Sequence, residues 1–373
     1  MEYLETLLAP THAKGFAKIQ FPIQQVDYQN RLSNALDLSY LELLSDQVGI
    51  MQHAVYSTPD YRHGYSLDDQ SRALMLVVVA NELNPHPRYV KLIHTYLAYI
   101  QYMKTEHGSF RNFLSYDRRF IDEHGTDDSL GRTVHALGFC YLHNSDPRFE
   151  PIILELYRFC LQTTRRLRSV RSICYSLLGI LYFLDKDPQH QESKEIVEEL
   201  TLFLKEEYHQ ASTRNWHWFE EIISYENAVL PLAMLRAARF LNEPSLRTIG
   251  LDSADFLLEN SFEATVFVPI GNEKWWKKGE DKSEFGQQPV EVPSMLLLLE
   301  ELYFHSQDNI HLQQMVYSFQ WFLGLNTLGT ALFDPITKGC KDGLERHGVN
   351  GNQGAESVIS FWMSYVYMFT RFN

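Results

Sequence analysis

The sequence predicts an all-α fold, a toroid of six helical hairpins known as an (α/α)6 barrel. Three observations carry this. From residue 37 onward apolar residues recur at helical spacing in block after block, and β-branched residues almost nowhere alternate with polar ones. Short turns and long loops alternate between the blocks. Blocks that follow a long loop are apolar nearly all round, whereas their partners carry a charged face.

The helical blocks run over 37–54, 67–83, 86–105, 127–143, 147–164, 169–184, 191–208, 224–241, 244–260, 288–305, 308–323 and 355–371. Asn84-Pro85-His86-Pro87, Asp146-Pro147, Asp187-Pro188 and Glu243-Pro244 punctuate them. Proline fits the first turn of a helix and resists its interior, so each is a stop followed at once by a start. Helices joined this tightly fold back as antiparallel hairpins. The links 55–66, 106–126, 209–223, 261–287 and 324–354 then share one rim, with 165–168 the lone short link between hairpins. MLVVVA, ICYSLLGILYFL and ISFWMSYVYMF suit an inner ring; QESKEIVEELTLFLKEEYH suits an outer one. Residues 1–36 are expected to pack against the barrel, with FPIQQVDYQN extended, and 37–373 to form a single barrel domain.

Composition narrows the partners. With 33 basic against 47 acidic residues the formal charge is -14, which argues against nucleic acid and anionic membrane, both of which call for clustered Lys and Arg. The short cluster Arg165, Arg166, Arg168, Arg171 suits a solvated or anion-holding turn. The N-terminus lacks a signal-peptide pattern, and the longest apolar run, 73–80, is far short of the ~20 residues a span needs. A cytoplasmic location is expected. Cys140, Cys160, Cys174 and Cys340 are scattered, as suits free buried thiols. No CxxC or HExxH occurs, and no metal or other cofactor is expected.

The chemistry concentrates at the inner-helix entrances. HGYSLDDQSRA and GTDDSLGRTVHALG look like copies of one device, with Asp68-Asp69 and Asp127-Asp128 followed by Arg72 and Arg132. One Asp of each pair suffices to cap a helix start; capping alone does not explain two consecutive acids twice. Trp216-His217-Trp218-Phe219-Glu220-Glu221 sets rings beside carboxylates, as a sugar requires, though a tryptophan here equally anchors a loop. Glu226 opens the next inner helix, and Tyr65 precedes the first. Trp275-Trp276 is a second platform or a packed lid. Gln288 offers an amide to hydroxyls, while Glu291 fits a capping-box acid. The last entrance, KGCKDGLERHGVNGNQGAES, gathers Asp342, Glu345, Arg346, Asn350, Asn352, Gln353 and Glu356.

HGYSLDDQSRA, GTDDSLGRTVHALG, ENAVLPLAML, QQPVEV and KGCKDGLERHGVNGNQGAES together resemble a bacterial family of (α/α)6 domains within the six-hairpin carbohydrate-active superfamily. Its members occur alone or attached to a retaining glycosyltransferase domain, and the resemblance extends from about residue 56 to the C-terminus. It implies the toroid and a saccharide ligand without settling a reaction. No Gly-rich phosphate loop feeds a strand and helix here, which disfavours direct nucleotide-sugar transfer.

The expected activity is glycoside cleavage, by hydrolysis before phosphorolysis, through two carboxylates ~6.5–9.5 Å apart with water between them. Glu226 is the expected acid and Asp69 or Asp128 the base, with their neighbours Asp68 and Asp127 in the same catalytic set and Glu345 and Glu356 as rivals. Tyr65, Arg72, Arg132, Trp216, Trp218, Glu221, Gln288, Asp342, Arg346, Asn350, Asn352 and Gln353 are expected to bind hydroxyls. The alternative is a non-catalytic saccharide-binding toroid assisting a separate glycosyltransferase. A third reading, an epimerase or isomerase, calls for a histidine pair at the pocket centre, where the sequence offers little besides His135.

Overall fold

The computed structural model describes residues 36–369 except His107, so the expectations for residues 1–35 lie outside the described residues. Its helices are α1 (Ser39–Leu44), α2 (Leu67–Leu83), α3 (Pro87–Tyr102), α4 (Asp127–His143), α5 (Glu150–Thr164), α6 (Val170–Lys186), α7 (Gln191–Ala211), α8 (Val229–Leu241), α9 (Pro244–Ser261), α10 (Glu291–Ser306), α11 (Asn309–Gln320) and α12 (Ala355–Phe369). The even-numbered helices form the inner ring, each packed on the next, and α12 closes the circle against α2. α3, α5, α7, α9 and α11 each fold back on the preceding inner helix, and α1 takes the sixth outer place beside α12.

Burial follows the composition. Nearly every residue of α6 is buried, whereas α7 buries Ile196, Val197, Leu200 and Leu204 on one face and leaves Glu198 and Glu199 outside. Burying each large aliphatic side chain contributes roughly 1.5–3 kcal/mol, so the inner ring drives closure. The tightest seam lies between α4 and α6, where a Cβ on Gly138 would stand 1.8 Å from the Gly179 carbonyl oxygen. That approach brings the Arg132 guanidinium over the Tyr175 ring, 4.4 Å from its centroid. All four cysteines are free and buried. No helix of the described residues is long and apolar enough to cross a membrane.

Two expectations about elements are corrected. The block 37–54 is helical only over Ser39–Leu44, because the Asp46 carboxylate accepts the Val48 and Gly49 N–H groups and turns the chain. The long loops also contain strands: among the described residues, five two-stranded antiparallel ribbons. Tyr65–Ser66 pairs with Phe113–Leu114, and Ile222–Ile223 with Trp276–Lys277, so each of these ribbons ties one loop to another. The last loop is held to the first by Gln353 N–H donating to the Tyr56 carbonyl and Ala355 N–H to that of Gln52. This stitching fixes the rim on which the inner-helix entrances converge.

Candidate functional site

Two lobes of one cleft open over the N-terminal ends of the inner helices. The acid-lined lobe, about 330 Å³, is bounded by Gln52, His53, Asp68, Asp69, Arg72 and Asn112 on one side and Asp342, Glu345, Asn350 and Glu356 on the other. The second, about 370 Å³, adds Asp128, Arg132, Tyr225 and Trp275. Asp68, Asn272, Gln288 and Glu356 line both, which makes them continuous.

Two arginines, Arg132 buried and Arg72 partly so, organise the floor. Arg72 donates to Glu356 Oε2 at 2.8 Å and to Asp69 Oδ1 at 3.1 Å, and its Nη2 lies 3.3 Å from Asp68 Oδ2. Arg132 sets Nε 2.9 Å from Asp68 Oδ1 and Nη1 2.5 Å from Glu226 Oε2. Both arginines sit one turn inside their helices, within reach of acids at their own and neighbouring entrances. Below them a narrow chamber of about 60 Å³ holds His135, which burial keeps neutral by pushing its pKa down to about 3.

The two aspartate pairs resolve differently. Asp68 and Asp69 both face the acid-lined lobe. Burial raises the Asp69 carboxyl to about 7, against the opposing pull of Arg72 and of the Ser66 hydroxyl, which donates at 2.6 Å. The hydroxyl of Ser66, not either aspartate, caps α2. In the second pair only Asp128 faces the cleft, accepting from the Tyr225 and Ser169 hydroxyls. Asp127 turns outward and accepts the Arg168 and Ser169 N–H groups at the start of α6, a capping role that corrects its placement in the catalytic set.

Glu226 stands at a bent entrance. Its φ is +45°, left-handed and unusual for a side-chain-bearing residue, and α8 starts only at Val229 rather than at the expected 224. Glu291 holds this bend: its Oε1 accepts the Glu226 N–H at 2.6 Å and its Oε2 the Asn227 N–H at 3.3 Å. Glu291 therefore caps its neighbour's entrance rather than its own helix, and burial raises its carboxyl to about 8. Arg171 completes the support by donating to the Tyr225 carbonyl at 2.7 Å and to Glu220 at 2.5 Å. The Arg165–Arg171 turn is solvated at Arg166 and Arg168, which are exposed, whereas Arg165 pairs with Glu195 and Glu199 and Arg171 is buried.

Glu226 Oε2 receives both Arg132 and the Tyr175 hydroxyl, the latter at 2.7 Å, so a proton to be donated would have to sit on Oε1. Glu356 is surrounded by Arg72 and Arg132. Burial pushes its carboxyl up, but the two guanidiniums outweigh that and leave it lowered. Asp342 is raised by burial and accepts the Gly354 N–H and the Ser357 hydroxyl at the start of α12 while lining the lobe.

Several residues expected to bind hydroxyls are occupied elsewhere. Tyr65 is fully buried and donates to Asp46. Trp216 packs against Phe256 and Trp276 and donates to the Glu220 carbonyl; Trp218 is fully buried against Phe219. Glu221 pairs with Lys278, and Arg346 with Glu273. The Asn352 side chain accepts the Tyr56 N–H, and Gln353 is buried with Thr337 and Asp334. The cleft's aromatic wall is instead Trp275 beside Tyr225, ring centroids 6.1 Å apart. Trp275 also holds a positive φ, +59°. Asn272, Asn112 and Glu291 were not singled out for the site, because each lies in a segment whose approach to the entrances depends on loop pairing. The acid in QQPVEV was the only visible signal.

No family model matches the chain, and neither does any curated protein. Among solved structures, a sugar epimerase from a ruminal bacterium superposes with a TM-score of 0.70 at 12% identity, over 92% of this chain and 98% of the other. A GH76 α-mannanase from Bacteroides thetaiotaomicron gives 0.62 at 7%, over 89% and 92%. An inactive α-1,6-mannanase variant from Salegentibacter sp., with two consecutive aspartates replaced by alanine and α-1,6-mannotetrose bound, gives 0.56 at 11%, over 87% and 94%. The chain thus has the six-hairpin (α/α)6 fold of carbohydrate-active epimerases and glycosidases.

Proposed function

We propose that the chain cleaves a glycosidic bond by hydrolysis, with Asp69 as proton donor and Asp128, across the cleft, as the carboxylate that activates water. The observation that carries this reading is the Asp68-Asp69 pair: two consecutive aspartates facing one cavity, one of them raised by burial into the range a general acid needs. Consecutive aspartates are also what the inactive mannanase variant lacks. Glu226 is not the acid in this reading: it lines the narrow chamber below the cleft, with Oε2 held by Arg132 and Tyr175. The Arg132 guanidinium fills the space between Glu226 and Asp68, so that pair does not hold water between its members. Epimerisation by paired imidazoles has less support: among the described residues the two lobes are lined by one histidine, the exposed His53.

A second reading, saccharide binding without turnover, draws on one observation. Asp68, Asp69, Glu226 and Glu356 are all engaged by Arg72 or Arg132. The test is a panel of α- and β-linked oligosaccharides assayed for released reducing ends with the wild type, Asp69→Asn and Asp128→Asn. Turnover that either substitution abolishes supports hydrolysis. Binding by calorimetry with no turnover on any linkage selects the second reading.

A further inference from the structure

We infer that the cleft selects uncharged sugars and refuses anionic ones, so that neither a sugar phosphate nor a uronate is its ligand and inorganic phosphate is not its co-substrate. This rests on the saccharide reading above and names the substrate class for the same site.

The inference follows from charge accounting at the cleft. Its acid-lined lobe sets Asp68, Asp69, Asp342, Glu345 and Glu356 against the single guanidinium of Arg72. The second lobe adds Asp128 and Arg132. Among the described residues no lysine lines either lobe. Neither arginine is available to an anion, since four carboxylates already surround the two: Glu356, Asp69 and Asp68 on Arg72, and Asp68 and Glu226 on Arg132. Even with Asp69 protonated, the walls carry more negative than positive charge.

Of the cations near the rim, Arg171 is buried against Glu220, Arg165 pairs with two glutamates of α7, and Arg346 pairs with Glu273, while the exposed Arg166, Arg168 and Lys274 line neither lobe. A phosphate or carboxylate entering the cleft would approach unpaired carboxylate oxygens in a partly desolvated space, where repulsion between like charges is poorly screened. It would gain a cation only by displacing an existing partner. Hydroxyl groups face no such penalty, because each donates to the same oxygens and the amide N–H groups of Gln52, Asn112 and Gln288 donate to it in return. The walls are built of acceptors for a ligand rich in donors.

The experiment compares neutral and charged sugars on the full chain. Glucose-, mannose- and galactose-containing oligosaccharides, their 6-phosphates and the matching uronates are titrated by calorimetry, and turnover is measured with and without inorganic phosphate. The expected result is binding of at least one neutral sugar, with its phosphorylated or uronate counterpart about tenfold or more weaker, and turnover that phosphate does not stimulate. A charged sugar that binds as tightly as its neutral parent, or turnover that requires phosphate, overturns the selectivity while leaving the saccharide reading intact. Failure of every sugar to bind overturns both. Glu356→Gln, which releases Arg72 Nη1, is expected to narrow the preference for the neutral sugar severalfold. Glu345→Gln, at an exposed wall residue, is expected to narrow it less and serves as the arm that leaves the ion pairs intact. An unchanged preference in both variants counts against the electrostatic cause.

Discussion

Glu291 holds Glu226. The N–H of Glu226 donates to Glu291 Oε1 at 2.6 Å, across the gap between two neighbouring inner-helix entrances. A residue at φ +45° costs of order 1–3 kcal/mol and persists only where its surroundings over-determine it. Here the Glu291 carboxyl supplies that constraint, aided by Arg171 on the preceding carbonyl. The result aims the Glu226 carboxylate at Arg132 and Tyr175.

Replacing Glu291 with Ala is expected to cost about 1–3 kcal/mol, because it leaves the buried Glu226 and Asn227 N–H groups without an acceptor. Urea denaturation measures this. In sugar titrations the same variant is expected to lose affinity, since Glu226 is then free to leave its bend and to release Arg132, which positions Asp68 at the cleft wall.

The pH dependence of stability has a definite sign. Burial raises the folded-state carboxyl of Glu291 from 4.5 to about 8, so above pH 4.5 the unfolded chain has released a proton that the folded chain keeps. Stability from this group is fully present below pH 4.5 and is lost as pH rises through about 8, at up to about 1.4 kcal/mol per pH unit. Asp69 acts in the same direction between 3.8 and about 7. Denaturation midpoints measured from pH 5 to 8 should therefore fall less steeply in Glu291→Gln than in the wild type, and a parallel pair of curves refutes the assignment.

Activity should follow the Asp69 proton. A donor whose carboxyl ionises near 7 is competent below that pH and fails above it, so kcat is expected to decline on the alkaline side with a midpoint near 7. Asp69→Asn should lower kcat by about 10²-fold or more. Asp127→Ala should leave kcat near the wild-type value and instead cost about 0.5–2 kcal/mol in urea, as the loss of a helix cap does.

The tryptophans should separate by role. Trp275→Ala is expected to weaken sugar binding by about 0.5–1.5 kcal/mol with little change in denaturation midpoint, since its ring is half-buried at the cleft wall. Trp218→Ala removes a fully buried ring and should destabilise by about 3–5 kcal/mol. Calorimetry and urea titration on both variants decide this, and equal effects on binding and stability in the two would contradict it.

Arg132→Met should destabilise by about 3–5 kcal/mol, because it strands the buried Glu226 without a cation and leaves Asp68 with Arg72 alone. The double variant Arg132→Met/Glu226→Gln is expected to recover part of that loss, a coupling that a double-mutant cycle reads directly.

The sequence by itself determined the ring. Helical periodicity, proline punctuation and the alternation of loop lengths are local properties, and they located the helices, with α2 and α4 matched end to end. They also marked the convergence of acids and arginines at the entrances, because each entrance is read within one stretch of chain. Tertiary structure decided what each acid does. Asp127 and Asp128 are neighbours in sequence, yet one caps α6 while the other faces the cleft, since a helix turns successive side chains about 100° apart. Trp216 and Trp218 became core and Trp275 became wall because the ribbon joining Ile222–Ile223 to Trp276–Lys277 folds one loop over the other. Glu291 looked like the cap of its own helix and proved to hold the neighbouring entrance. Its partner lies 65 residues away in the chain, and no local rule joins residues that only ring closure brings together.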